Sequence, residues 1–294
     1  MALRGKKPEA VKKRLKALFF GPAGVGKTTA AVQFPKPYLI DTERGAENEQ
    51  YARLLSERGG AVFQTVDFDE TVEEVTALLT TKHSYQTLII DPLTTIYNSL
   101  CDKAAKSLVT REDPEGTAFG RHKAKADRQV KHLLNLLLRL DMNVIITSHA
   151  KMMWGDGMVK LGQTFDCYNK LDYLFDLVFE LQKRGDERVG VVRKTRIEGF
   201  PEGEVFPFNY AEVARRYGKD VLEKDVAPQK LATVEQVKEA NELCEALKTP
   251  LEEQEKWWEK YGASGWAEMP EDAMEKGLAH LRAKIPAATT KAGK

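Results

Sequence analysis

Residues 17–29 read Ala-Leu-Phe-Phe-Gly-Pro-Ala-Gly-Val-Gly-Lys-Thr-Thr, an apolar run leading straight into a complete G-x-x-x-x-G-K-[ST] phosphate loop. Gly21, Gly24 and Gly26 let the backbone take positive φ and bring its N–H groups against a polyphosphate with no Cβ in the way. Lys27 is placed to reach the β- and γ-phosphates, and the Thr28 hydroxyl to ligate Mg²⁺. Pro22, Ala23, Val25 and Thr29 complete the nucleotide-binding stretch. The helix expected over 27–33 points its positive end at the anion. The alternative is a glycine-rich turn with no ligand, and the strand before and helix after argue against it. The string predicts a nucleoside triphosphate site.

Outward from the loop, apolar runs alternate with helical patterns. Tyr38–Asp41, Ala61–Val66, Thr87–Asp91 and Asn143–Ser148 read as strands. Helical periodicity covers 70–82, with Val72, Val75, Leu78 and Leu79 on one face, then runs from Pro92, at a first helical position, to about Leu108, and again over 120–141. Continuous apolar strands between helices predict a parallel α/β sheet. From Leu177 the pattern changes to consecutive short strands, 177–182, 187–194 and 204–208, with Gly185-Asp186 as a turn, which predicts an antiparallel extension at one edge. The expected organisation is a basic arm (1–15), a core (16–217), a polar linker (218–232), a C-terminal helical domain (233–285) and a disordered tail (286–294).

Composition sets limits on function. The chain has 294 residues, 42% hydrophobic and 30% charged, with a net charge of only +1, so any nucleic-acid signal must be local. Cys101, Cys167 and Cys244 lie far apart with no metal-ligand spacing, and read as buried thiols of a reduced, cytoplasmic protein. No apolar run reaches the length of a membrane span, and no signal-peptide core is present. The N-terminal cations Arg4, Lys6, Lys7, Lys12, Lys13, Arg14 and Lys16 read as a solvated arm or a phosphate-backbone contact. Trp257, Trp258 and Trp266 are the expected core of the C-terminal helices.

Three positions add chemistry to the loop. Asp91 closes an apolar strand, as a carboxylate holding Mg²⁺ would; the other reading is a helix cap before Pro92. Glu43 follows the strand 38–41 and is either a solvated loop residue or, if that strand ends beside the loop, a general base for the attacking water. His149 ends the strand 143–148, as a structural residue or as a γ-phosphate sensor.

Together these elements resemble the RecA superfamily, specifically the RecA/RadA-like core. Asp41-Thr42-Glu43 is similar to the family's strand with the catalytic glutamate, and His149 falls where the family places its nucleotide sensor. Ile146–Lys151 (ITSHAK), Leu171–Leu181 and Val191–Arg196 (VVRKTR) with Gly199 and Val205-Phe206 resemble further family elements in the right order, over about residues 15–210. Pro92 departs from the family's usual Ser. The absence of extra domains resembles phage-encoded AAA-type nucleotide-binding proteins, including Sak-type RecA-core single-strand annealing proteins. The resemblance implies an α/β RecA-like P-loop NTPase with a mainly parallel sheet, antiparallel edge strands and a small C-terminal helical appendage. It implies ATP and Mg²⁺ as cofactors, with Lys194 and Arg196 acting in trans as fingers at a neighbour's site.

The same resemblance places single-stranded DNA on loops 110–120 and 150–166. In the second, Trp154 can stack on a base while Lys151 and Lys160 neutralise phosphates, although Gly155-Asp156-Gly157 also reads as a plain hairpin turn. Arg121, Lys125, Arg128 and His132 recur at helical spacing, as a backbone-tracking stripe or as a solvated face. The expected function is an ATP-hydrolysing recombination protein that assembles as a ring or filament on single-stranded DNA and promotes annealing, in the host cytoplasm if phage-encoded. A single-strand-binding protein is a candidate partner of the C-terminal helices. The alternatives are a ring-type DNA motor and a non-hydrolysing ATP-binding adaptor.

Overall fold

Nine strands form one sheet in the computed structural model, which describes residues 13–45 and 48–284. They are β1 (Lys16–Gly21), β2 (Pro37–Asp41), β3 (Ala61–Gln64), β4 (Thr87–Asp91), β5 (Asn143–Trp154), β6 (Lys160–Phe165), β7 (Leu177–Arg184), β8 (Glu187–Thr195) and β9 (Val205–Pro207). The order is β3-β2-β4-β5-β1-β7-β8-β9, with β6 paired to β5. Every pairing from β3 to β7 is parallel, whereas β7–β8, β8–β9 and β5–β6 are antiparallel. The predicted antiparallel edge is present, but the short strand starting at Leu177 is still parallel to β1, and the direction reverses one strand later, at β8. Parallel strands need both faces covered, and β1 and β4 are buried at every position.

The helices are α1 (Lys27–Ala31), α2 (Glu49–Glu57), α3 (Phe68–Thr80), α4 (Leu93–Lys106), α5 (Arg121–Arg139), α6 (Leu171–Leu174), α7 (Tyr210–Tyr217), α8 (Lys219–Leu222), α9 (Val234–Ala246), α10 (Leu251–Lys260) and α11 (Glu271–Lys284). Their starts follow local chemistry. Asn48 caps α2 through Gln50 N, Asn209 caps α7 through Glu212 N, and Thr233 with Gln236 forms a full capping box on α9. By contact, the chain divides into two compact units. One holds all nine strands and comprises residues up to 67, 84–99 and 142–226; the other gathers 68–83, 100–141 and the chain from 227 onward.

In the strand-bearing unit a cluster of phenylalanines ties β1 to the antiparallel edge. Phe19 meets Phe208 edge-on at 5.0 Å, and Phe179 packs on Phe208 at 5.1 Å and on Phe200 at 5.5 Å. Such pairs add roughly 0.5–1.5 kcal/mol each beyond burial. In the second unit α3 packs with α5, and α5 buries Val130, Leu133, Leu134 and Leu137 as its periodicity predicted. The buried Trp266 meets Trp257 at 5.8 Å and Trp258 at 5.6 Å, so the predicted tryptophan core forms.

Several expectations are corrected. Strand β5 does not end at Ser148 but continues to Trp154, because its outer half pairs with β6. Helix α1 stops at Ala31, Pro92 precedes α4 rather than opening it, and the Asp91–Pro92 bond is cis. The polar stretch after 217 is not all linker, since α8 lies within it. Cys101 is half-buried, unlike Cys167 and Cys244. Arg4, Lys6, Lys7 and Lys12 of the basic arm and the tail 286–294 lie outside the described residues. Arg14 and Lys16, read as solvated arm cations, are buried instead. Arg14 donates to Val221 O at 3.0 Å, Lys224 O at 2.8 Å and Asp225 O at 2.7 Å, and Lys16 Nζ donates to Met142 O at 3.0 Å. Charged donors to otherwise unpaired carbonyls are worth more than neutral ones, so Arg14→Ala should lower stability by about 2 kcal/mol in urea unfolding.

Candidate nucleotide-binding site

The sheet order builds the site. Strand β5 lies between β1 and β4, so the last of its parallel-paired residues, around Thr147 to His149, stand between the phosphate loop and Asp91. Strand β2 pairs with β4 on the other side, with Asp41 directly opposite Asp91. The ends of β1, β2 and β4 and the middle of β5 thus bring Lys27, Glu43, Asp91 and His149 to the wall of one cavity of about 480 Å³, within the ordinary range for small-molecule sites. Ala23 to Thr29 line it directly; Gly21 and Pro22 contribute carbonyls beneath it.

The loop has the backbone its glycines were expected to allow, with φ of 75° at Gly24 and 86° at Gly26. Lys27 folds across it, donating to Gly21 O at 2.9 Å and Pro22 O at 3.1 Å. Burial pushes the Lys27 pKa below the usual lysine range, opposed by Asp91 and Glu43. Asp91 is 9% exposed, and burial raises its carboxyl pKa, opposed by hydrogen bonds from the Thr147 and Thr28 hydroxyls and by the Lys27 charge. A buried carboxylate with a threonine hydroxyl beside it fits a Mg²⁺ that takes one or two protein oxygens and completes its shell with phosphate and water. Among the described residues no group of three or more His, Cys, Asp and Glu forms an all-protein metal cage.

Glu43 is positioned by its neighbours. Asp41 Oδ1 accepts from Glu43 N at 3.1 Å and Gly45 N at 3.2 Å, which turns the chain sharply after β2. Thr42 Oγ1 donates to Pro92 O at 2.9 Å, pinning that turn to the end of β4. Glu43 Oε1 then meets His149 Nε2 at 3.0 Å and accepts from Thr95 Oγ1 at 3.2 Å. Thr94 Oγ1 in turn accepts from His149 N at 3.0 Å. A carboxylate held by two side chains at the mouth of a phosphate cavity is equipped to orient a water or take its proton.

The other predicted residues lie elsewhere. Lys194 and Arg196 are absent from the cavity wall. Lys194 pairs with Val178 near the start of β7, whereas the loop meets the other end of that strand. The Lys194 ammonium is held by Asp172 O and Phe175 O, and Arg196 donates to Tyr173 O at 2.7 Å. Burial and the neighbouring Arg196 charge push the Lys194 pKa down. Trp154 is 56% exposed at the tip of the β5–β6 hairpin, with Lys160 Nζ 5.7 Å from its ring centroid and Lys151 3.4 Å from Asp166. Arg121, Lys125 and Arg128 are exposed on α5 in the second unit; Arg121 lies 3.5 Å from Asp113, and Lys125 donates to Ser107 at 2.8 Å. Sequence reasoning missed Thr95, Tyr51, Lys183 and Arg188. Only the last two carried a signal, as cations flanking the predicted Gly185-Asp186 turn.

Fold and site together define an α/β P-loop NTPase with a mainly parallel sheet and antiparallel edge strands. Residues 13–198, more than half of the chain, match the model of the family described as an AAA domain, and the chain belongs to that family. No curated protein matches it significantly. Among solved structures the chain is similar to one described as the RadB recombinase, at 21% identity and a TM-score of 0.41, covering 67% of this chain and 88% of that one. Among the described residues no helix is long and apolar enough to cross a membrane.

The raised Asp91 pKa has a sign that can be measured. A carboxyl that ionises less readily when folded contributes stability below its unfolded pKa, and that contribution is lost as pH rises through the folded value. Asp91→Asn should therefore melt above wild type near pH 7 in the absence of nucleotide. The gap should close only by about pH 3, below the pKa of an unfolded aspartate, where the wild-type carboxyl is protonated in both states.

Proposed function

We propose that the protein is a Mg²⁺-dependent ATPase of the recombination type, which works as a homo-oligomer, ring or filament, on single-stranded DNA and promotes strand annealing. One observation carries the reading. Strand β5 alone bears Thr147, which donates to Asp91, His149, which meets Glu43, and at its outer end the exposed Trp154. A change at the nucleotide thus acts on the same rigid element that presents a base-stacking surface.

Each residue has a role in this scheme. The loop amides and Lys27 hold the triphosphate, and Asp91 with Thr28 holds Mg²⁺, which when bound would neutralise charge building on the phosphates. Glu43 orients the attacking water, and His149 registers whether Glu43 is engaged. Lys194 and Arg196 lie away from the cavity of their own chain, so their finger role requires a second copy. Met152, Met153 and Trp154 are exposed on the β5–β6 hairpin beside Lys151 and Lys160, the mix of apolar platform and cations that single strands favour.

The test is ATP turnover with and without single-stranded DNA at about 50 and 200 mM salt, where phosphate neutralisation predicts strong stimulation that fades at the higher salt. Glu43→Gln should keep ATP binding and lose turnover by about 100-fold or more. Lys194→Ala should likewise bind ATP yet fail to turn it over, and full activity in that variant would remove the shared-site element. Trp154→Ala should weaken DNA binding by about tenfold or more, in line with roughly 1–3 kcal/mol per stacked base.

A further inference from the structure

The β7–β8 hairpin closes on the phosphate loop from the side opposite Glu43's strand. A Cβ on Gly21 would stand 2.5 Å from Leu181 O, and one on Gly26 only 2.2 Å from the Arg188 guanidinium. Arg188 Nε donates to Val25 O at 3.1 Å. Lys183 and Arg188 are directly opposite in the hairpin register, so both side chains leave the same face, and both line the nucleotide cavity.

That arrangement is unfavourable without a further charge. Like charges directly opposite on a strand pair repel, and a half-buried guanidinium has lost part of its hydration. Among the described residues no carboxylate forms an ion pair with Arg188; the neighbour that acts on its charge is Tyr51. Two unneutralised cations over a loop built to hold phosphates lack an anion, and a triphosphate supplies one with several oxygens for a guanidinium to grip.

We propose that Lys183 and Arg188 form a second phosphate clamp, supplied by the chain's own edge hairpin, in which Arg188 exchanges Val25 O for a phosphate oxygen when nucleotide binds. The clamp rests on the nucleotide reading of the cavity and adds to it. It also gives β8 two separate duties. Its first residues grip the nucleotide of their own chain, while Lys194 and Arg196 lie six and eight positions further along. Occupancy of one site then bears on the strand that carries the residues proposed to serve the next.

The experiment is calorimetric titration of the full-length chain with ATP, ADP and AMP, for wild type, Arg188→Ala, Arg188→Lys and Lys183→Ala, together with melting curves of each without nucleotide. Arg188→Ala should weaken ATP binding by about tenfold or more, ADP less and AMP hardly at all, because a clamp on phosphates counts phosphates. Arg188→Lys should recover part of the loss, and Lys183→Ala should show a smaller loss in the same order. Equal weakening of all three nucleotides would place Arg188 on the nucleoside and overturn the clamp. So would wild-type ATP affinity in both alanine variants. If Arg188→Ala melts well below wild type, the exposed Lys183 carries the test, and unchanged ATP affinity in Lys183→Ala overturns the proposal. Failure of the wild type to bind any of the three would instead overturn the nucleotide reading itself.

Discussion

A carboxylate held out of water at the C-terminal edge of a parallel sheet is the constraint around which this site is organised. Asp91 can be buried there because Thr147, Thr28 and Lys27 surround it, the first from β5 and the other two from the start of α1, just after the loop that follows β1. Asp91 on β4, Thr147 on β5 and the Lys27-Thr28 pair after β1 meet only where those three strands are neighbours, so the order β4-β5-β1 is a condition of the site. Burial raises the Asp91 pKa and lowers that of Lys27, which leaves both charges poorly compensated without ligands. In the proposed function a divalent cation with its phosphates would relieve both at once, the cation countering the carboxylate and the phosphates the amine.

The same edge explains how one site touches the rest of the strand-bearing unit. Thr42 and Asp41 fold the chain after β2 against the end of β4, which fixes where Glu43 stands. Glu43 meets His149, and His149 belongs to a strand that outruns the parallel sheet by several residues before turning back as β6. On the other flank the antiparallel edge shares one core with Val25 of the loop through Phe179, Phe206 and Phe208, and comes against the loop's glycines through Leu181 and Arg188. Two hairpins, β5–β6 and β7–β8, therefore border the nucleotide cavity on either side of β1. One ends in exposed Trp154; the other runs back to Lys194 and Arg196.

Much of this was legible in the chain. The phosphate loop is a local device, since its conformation needs glycines at given positions whatever surrounds them, and the run ALFFGPAGVGKTT displays them. Parallel strands announce themselves because burial on both faces demands unbroken apolar residues, as in β1 and β4. The tryptophan cluster of the C-terminal helices followed from residue type, and the buried face of α5 from periodicity. Less accessible were Arg14 and Lys16. Their charge reads as solvated until the carbonyls of residues more than a hundred positions away come within reach.

The sequence by itself determined the nucleotide loop, the carboxylate-ended strand, the α/β class and the switch to antiparallel pairing after Leu177, because each is written in residues close together in the chain. Only the tertiary structure decided that Glu43 meets His149, that Asp91 is shared with Thr147, and that Lys183 and Arg188 rather than Lys194 and Arg196 line the cavity of their own chain. Those facts depend on strand order and register. Order follows from how distant apolar faces pack together, and a strand's register sets which of its two ends reaches the loop, neither of which any short stretch of sequence contains.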